Sequence, residues 1–110
     1  MDERRLAMEM RRNSERWFPQ MHDGTFDLRT FYALGLVGEA GEVANVVKKG
    51  LRSGALDLLD LGAELADVFT YLLLLADECG IDLVDEYHAK VEVNEARWGA
   101  VLDKGEPDGE

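Results

Sequence analysis

Cysteine and proline are almost absent from this chain of 110 residues. Its one cysteine, Cys79, excludes a disulfide within the chain. We expect a buried free thiol in a reducing cytosol, with a disulfide between chains as the alternative. The two prolines, Pro19 and Pro107, lie outside the segments that have helical periodicity. Because proline breaks helix interiors, this distribution favours a helical protein.

The chain also lacks a long hydrophobic run and an excess of basic residues. The most apolar run, 68–76, is far shorter than the roughly 20 residues that cross a bilayer, and residues 1–5 contain no hydrophobic signal core. We therefore expect a cytoplasmic protein that has no membrane partner. The formal net charge of −11 argues against a nucleic-acid polymer as a partner. The negative charge does not exclude a small polyphosphate ligand, because a bound cation can make the local electrostatic field positive.

Length and composition predict one globular domain, which we place at residues 1–99. Hydrophobic residues make up 46% of the chain, enough for one core. Periodicity predicts four helices, at residues 4–17, 28–49, 56–79 and 83–98. Lys48-Lys49-Gly50 predicts the end of the second helix, and Asp82 the N-cap of the fourth. Residues 100–110 form a predicted disordered acidic tail.

Two pairs of carboxylates occupy the second and third predicted helices. Glu39 and Glu42 form the first pair, and Glu64 and Asp67 form the second. Residues three positions apart share one face of a helix, and a turn at residues 50–54 would fold the two helices together. Four carboxylates would then converge, and like charges at that distance need a neutralising cation. Mg²⁺, with Mn²⁺ as the alternative, is the hard cation typical of phosphate chemistry.

Small and apolar residues on the same helices predict close packing. Gly35, Gly38 and Gly41 recur at three-residue spacing, which predicts close approach of another helix or a ligand. The run 71–76 is apolar nearly all round, so we expect a partner subunit to enclose it. The predicted apolar stripe of the second helix consists of Leu36, Ala40, Val43 and Val47.

Basic residues near these acids have two readings. Lys90, Asn94 and Arg97 lie on one side of the fourth helix, as a solvated edge or as an edge that binds phosphate. Lys49 lies on the acidic face of the second helix and either caps that helix or contacts a polyphosphate.

Weaker candidates for contact with a nucleotide base come from the first helix and the loop after it. Asn13 and Trp17 lie on one face of that helix, and His22 lies in the loop. The ordinary alternatives are a surface amide and a solvated histidine. We do not expect a zinc site at His22, because no cysteine or other histidine lies near it in the sequence.

Together these segments resemble the MazG-like nucleotide pyrophosphohydrolases, of the all-α NTP pyrophosphohydrolase superfamily. The family pattern is E-E-x-x-E, a spacer, and E-x-x-D. The matching segments are residues 35–43, Lys48-Lys49 and residues 64–68, followed by the Lys90, Asn94 and Arg97 edge. The resemblance covers about residues 10–99. In one departure, Gly38 stands where the pattern has its first glutamate.

The resemblance implies an all-α, four-helix subunit that pools helices with a partner into a bundle, as a homodimer or homotetramer. It implies Mg²⁺-dependent hydrolysis of a nucleoside triphosphate to the monophosphate and pyrophosphate, in house-cleaning or nucleotide-pool control. The implied metal ligands are Glu39, Glu42, Glu64 and Asp67, with Glu39 or Glu42 as the base. The implied phosphate contacts are Lys49, Lys90, Asn94 and Arg97. The alternative function is a catalytically idle helical module that binds nucleotide or a partner.

Overall fold

A computed structural model of the chain describes residues 2–99, which fold into helices connected by short turns. The helices are α1 (Glu3–Trp17), α2 (Leu28–Ser53), α3 (Leu58–Glu78) and α4 (Leu83–Asn94). A 3₁₀ turn, Pro19–Met21, follows α1, and a π-helical turn, Glu95–Gly99, follows α4. Residues 2–99 contain no strand, so the prediction of an all-α fold is confirmed. The predicted tail, residues 100–110, lies outside the described residues.

An aspartate side chain starts each of the four helices. The side chains accept hydrogen bonds of 3.0–3.3 Å from backbone N–H groups of the first turn. Such a cap stabilises a helix by about 1 kcal/mol, because it satisfies an N–H group that has no partner within the helix. The four capping residues are Asp2, Asp27, Asp57 and Asp82. The predicted start of the third helix at residue 56 is wrong, because Asp57 caps α3 instead of lying inside it.

The turn between α2 and α3 also differs from the prediction. The helix continues past Gly50 and ends at Gly54, whose φ of +81° is the left-handed conformation that favours glycine. A Cβ atom on Gly50 would lie 3.1 Å from the Cα atom of Leu56, so this glycine allows the chain to fold back closely. The predicted helix end at Gly50 is therefore wrong. The two lysines before it lie inside α2.

The core forms where α1 crosses the hairpin of α2 and α3. Tyr32 and Leu74 are its largest fully buried side chains. Phe31 packs edge-on against the rings of Phe18 and Tyr71, at centroid distances of 6.4 and 6.0 Å. The other buried apolar residues are Ala7, Val46, Leu73 and Ala76. Residues from three helices thus supply one small core.

Two predictions of burial are wrong. Val46 is buried on α2, whereas Val47, from the predicted apolar stripe, is 40% exposed. The face of α2 that meets α3 is therefore rotated by about one residue from the predicted face. Cys79 is exposed, because it is the C-cap of α3 at the point where the chain leaves the core.

Much apolar surface remains uncovered within residues 2–99. No described residue of α4 is buried, and its Tyr87 is 65% exposed. On the hairpin, exposed apolar side chains include Leu34, Val37, Leu51, Leu58 and Leu59. None of the helices in this part of the chain has the length and apolar character needed to cross a membrane. The pooling of helices with a partner stays a prediction.

The three glycines of α2 that predicted close packing differ from one another in the space around them. A Cβ atom on Gly35 would lie 2.5 Å from the ring of Tyr71 on α3. At Gly38 and Gly41 no heavy atom lies within 4 Å of the corresponding position. Only the first glycine of the series is therefore required by packing within the described chain.

We predict opposite effects on stability from alanine at two of these glycines. Gly35→Ala should lower the free energy of unfolding by about 1–3 kcal/mol, because the Tyr71 ring must move out of a packed position. Gly38→Ala is the matched control and should raise it by up to about 1 kcal/mol through helix propensity. Urea unfolding followed by circular dichroism measures both. Equal effects of the two substitutions would contradict the close contact.

Candidate metal centre and adjoining cleft

Three carboxylates meet between α2 and α3. Glu39 comes from α2, and Glu64 and Asp67 come from α3, where they lie on one face because they are three residues apart. One carboxylate oxygen of each residue lies within 4.8 Å of those of the other two. Glu39 and Glu64 are partly buried, and Asp67 is exposed. These three residues are called the acidic trio below.

The acidic trio carries unbalanced negative charge. Burial raises the pKa of Glu39 above its usual value, and the charges of Asp67 and Glu64 raise it further. The ion pairs found within residues 2–99 lie elsewhere, where Arg11 pairs with Asp77 and Glu78 and where Arg29 pairs with Asp27. The oxygens of the trio suit a hard divalent cation, which binds carboxylates and would offset their repulsion.

The fourth predicted metal ligand, Glu42, lies next to the trio but outside it. Its side chain is exposed one turn beyond Glu39 on α2. Its charge still contributes to the raised pKa of Glu39. The structure therefore brings together three of the four predicted carboxylates and leaves the fourth within electrostatic reach.

A cleft of about 480 Å³ opens beside the acidic trio, between α1 and the hairpin. Glu39 and Asp67 line it, so the carboxylates and the cleft form one continuous site. This volume falls in the usual range for sites that bind small molecules. Aromatic and aliphatic side chains form much of its wall, namely Leu6, Met10, Trp17, Phe18, Tyr71 and Leu74.

Two of the three predicted base contacts line this cleft. Asn13 and Trp17 are among its lining residues, and Trp17 is 60% exposed. His22 is not among them, because its Nε2 atom lies 2.8 Å from the Oγ atom of Ser14 in a hydrogen bond. Ser14 itself lines the cleft, so His22 contacts the wall of the cleft through this hydrogen bond.

The cleft is also lined by residues that the sequence did not predict as part of the site. Phe18 and Thr70 line it, and so does Tyr71, which fills the space next to Gly35. Burial raises the pKa of the Tyr71 phenol, and the charges of Glu39 and Asp67 raise it further. The signal in the sequence was the position of Tyr71 on the acidic face, four residues after Asp67.

In the described chain, the predicted phosphate contacts lie outside the lining of the cleft that adjoins the acidic trio. Lys49 is exposed and lines a separate depression with Asp57 and Asp60. On α4 and the turn after it, Lys90, Asn94 and Arg97 are also exposed. None of the four lines the cleft within residues 2–99. Their role in binding phosphate stays a prediction.

The raised pKa of Glu39 predicts how the metal-free protein responds to pH. Because the pKa of Glu39 is higher in the folded protein than in the unfolded chain, the folded protein is more stable when Glu39 is protonated. This contribution to stability is fully present at low pH and is lost as the pH rises through the folded-state pKa. Glu39→Gln cannot ionise. The stability of this variant relative to wild type should therefore increase between about pH 4 and about pH 7. Thermal unfolding in EDTA measures the difference.

Glu42→Gln is the control, because it removes the same charge from an exposed position outside the trio. We expect its stability relative to wild type to change less with pH. A difference between Glu39→Gln and wild type that stays flat or falls with rising pH would contradict the crowding of the three carboxylates.

Comparison with known proteins identifies the family. The model of the MazG nucleotide pyrophosphohydrolase domain matches residues 29–97, which contain the acidic trio. The Gene 37 protein of Mycobacterium phage L5 is 46% identical over 57 residues, which cover 47% of this chain and 50% of that protein. The chain thus spans half the length of this curated relative. No solved structure matches. Because the domain model covers more than half of its length, the chain belongs to the MazG nucleotide pyrophosphohydrolase domain family.

Proposed function

We propose that this chain is a Mg²⁺-dependent nucleoside triphosphate pyrophosphohydrolase, which converts a (d)NTP and water to a (d)NMP and pyrophosphate. The acidic trio that opens into a partly apolar cleft is the observation that carries the proposal. Such a site offers oxygen ligands to a cation that accompanies phosphates, and an apolar wall to a nucleoside. Membership of the MazG family supports the same class of reaction. The role would be house-cleaning or control of nucleotide pools.

Glu39, Glu64 and Asp67 would hold the cation, with Glu42 as the fourth acidic ligand. Their fit to Mg²⁺ rests on the close approach of three carboxylate oxygens and on the raised pKa of Glu39. When bound, the cation supplies positive charge against the phosphate oxygens and makes a nearby water more acidic. Mn²⁺ prefers the same ligands and is the expected substitute.

Glu39 is the better placed of the two candidate bases. Glu39 lines the cleft that would hold the substrate, so a carboxylate oxygen there is available to a water beside the phosphate chain. Glu42, exposed one turn away, is the second candidate.

The cleft gives the substrate its orientation. Trp17 and Phe18 offer aromatic faces on which a base can stack, and Asn13 offers both a hydrogen-bond donor and an acceptor. The phosphate chain would extend toward the trio. The proposed phosphate contacts are Lys49, Lys90, Asn94 and Arg97. None of them lines the cleft within residues 2–99, which suits a site completed by assembly.

The experiment that tests the proposal is release of pyrophosphate from a panel of (d)NTPs and Mg²⁺. Asp67→Asn should lower kcat by a factor of about 100 or more, because it removes a charge that the trio offers to the cation, at nearly constant volume. Asp60→Asn is the matched control, since it makes the same change on an exposed residue of α3. It should leave hydrolysis within about twofold of wild type.

Two results would contradict the proposal. The first is a folded wild-type protein that releases no pyrophosphate from any nucleotide of the panel. The second is an Asp67→Asn variant as active as Asp60→Asn. Calorimetric binding of Mg²⁺ and nucleotide without turnover would instead support the idle nucleotide-binding module.

We also propose a homodimer or homotetramer, because α4 has no buried residue and the hairpin exposes large apolar side chains. Leu59 is 90% exposed and Leu51 is 81% exposed, and together with the other exposed apolar side chains of the hairpin they offer a surface for a partner subunit. Light scattering should give a mass two or four times the 12.3 kDa of the chain. A mass of one chain at micromolar concentration would contradict it.

A further inference from the structure

Helix α4 stands apart from the core, but its first turn is held by a residue far away in the sequence. Glu3, from the first turn of α1, accepts a hydrogen bond from the backbone N–H of Leu83 at 2.8 Å and from that of Val84 at 3.1 Å. Each bond uses a different oxygen of the carboxylate. Among residues 2–99, these are the side-chain hydrogen bonds that join α4 to another helix.

The two bonds complete the cap of α4. The first N–H groups of a helix have no partner within it, and they form its positive end. The Asp82 side chain accepts a hydrogen bond from the N–H group of Asp85, the third residue of α4. Glu3 accepts from the N–H groups of the first and second residues, Leu83 and Val84. The Glu3 carboxylate also lies in the first turn of α1. One negative charge thus serves the positive ends of two helices.

Because both oxygens of the Glu3 carboxylate accept a hydrogen bond, the contact fixes the direction of α4 as well as the position of its first turn. If α4 tilted about its start, one of the two hydrogen bonds would lengthen. The helix rises 1.5 Å per residue, so a tilt of about 10° at Leu83 moves Lys90 by about 2 Å and Asn94 by about 3 Å. No described residue of α4 is buried, so core packing does little to resist that tilt.

We infer that Glu3 is a positioning residue, which aims α4 so that Lys90 and Asn94 meet the phosphate chain of the substrate. The inference rests on the proposed function and the proposed assembly, because Lys90 and Asn94 do not line the cleft of their own chain within residues 2–99 and would reach a nucleotide bound between chains. Glu3 itself touches neither substrate nor metal, since its oxygens are engaged with the backbone of α4. It acts through the angle at which α4 leaves the α3–α4 turn.

The test compares the kinetics of Glu3→Ala with those of a matched control. Glu3→Ala should raise KM for the nucleotide about tenfold, with a smaller change in kcat, because contacts to charged phosphates are lost when α4 tilts. Glu86→Ala removes a charge from the same end of α4 at an exposed residue without those bonds, and should change KM by less than about twofold. Glu3→Gln keeps one acceptor and should fall between wild type and Glu3→Ala.

A double-mutant cycle separates positioning from loss of fold. If Glu3 acts through Lys90, then Glu3→Ala should add little to the KM of Lys90→Ala. A variant that merely unfolds part of the protein lowers kcat in proportion to the active fraction and leaves KM unchanged. That pattern, or full additivity in the cycle, would overturn the inference.

Amide hydrogen exchange gives a readout that does not depend on turnover. The N–H groups of Leu83 and Val84 should exchange faster in Glu3→Ala than in wild type or Glu86→Ala, and unchanged exchange would overturn the inference. If the wild-type protein hydrolyses no nucleotide, the proposed function fails and the positioning role of Glu3 toward substrate fails with it. Faster exchange in Glu3→Ala would then still show that the contact holds α4. The two failures are thereby distinguishable.

Discussion

The site depends on like charges that are held closer together than they would sit in a free chain. Glu39, Glu64 and Asp67 come within 4.8 Å of one another because α2 and α3 pack side by side. Repulsion opposes that packing, and the burial of apolar side chains in the hairpin must exceed it. Close contacts at two glycines, Gly35 against Tyr71 and Gly50 against Leu56, allow the approach. A cation bound there would offset this repulsion, so occupancy of the site would stabilise the hairpin.

The first helix forms the other wall of the cleft and is fastened by polar contacts. Arg11 donates a hydrogen bond of 2.6 Å to Asp77 near the end of α3, and it also lies 3.3 Å from Glu78. The bond to Asp77 raises the pKa of the Arg11 guanidinium, so this cation stays charged under all ordinary conditions. Ser14 and His22 hold the far end of α1 to its loop. These contacts at Arg11 and Ser14 lie on either side of Asn13, so they fix the part of the wall that carries it.

Local features of the sequence predicted most of the fold and the approach of three carboxylates between two helices. Four helices followed from periodicity, and Asp82 was recognised as a cap because capping depends on neighbouring residues alone. The end of α2 was predicted wrongly at Gly50. A glycine is needed there because Leu56, beyond the turn, packs closely against it, and not because the helix ends. The rotation that buries Val46 instead of Val47 has the same origin, since it depends on how α3 approaches. The acidic pairs placed three carboxylates correctly between two helices, but the cleft beside them needs α1, whose crossing no local pattern encodes.

The exposed position of Cys79 gives this protein a practical property. It is the sole cysteine of the chain, and it lies at the C-cap of α3, three residues before Asp82, the cap of α4. A thiol-reactive fluorophore or spin label would therefore attach at one place in the native sequence, with no other cysteine to remove first. That place lies just before the first turn of α4, which Glu3 holds by two hydrogen bonds. A probe there would report whether the surroundings of that turn change when nucleotide is added.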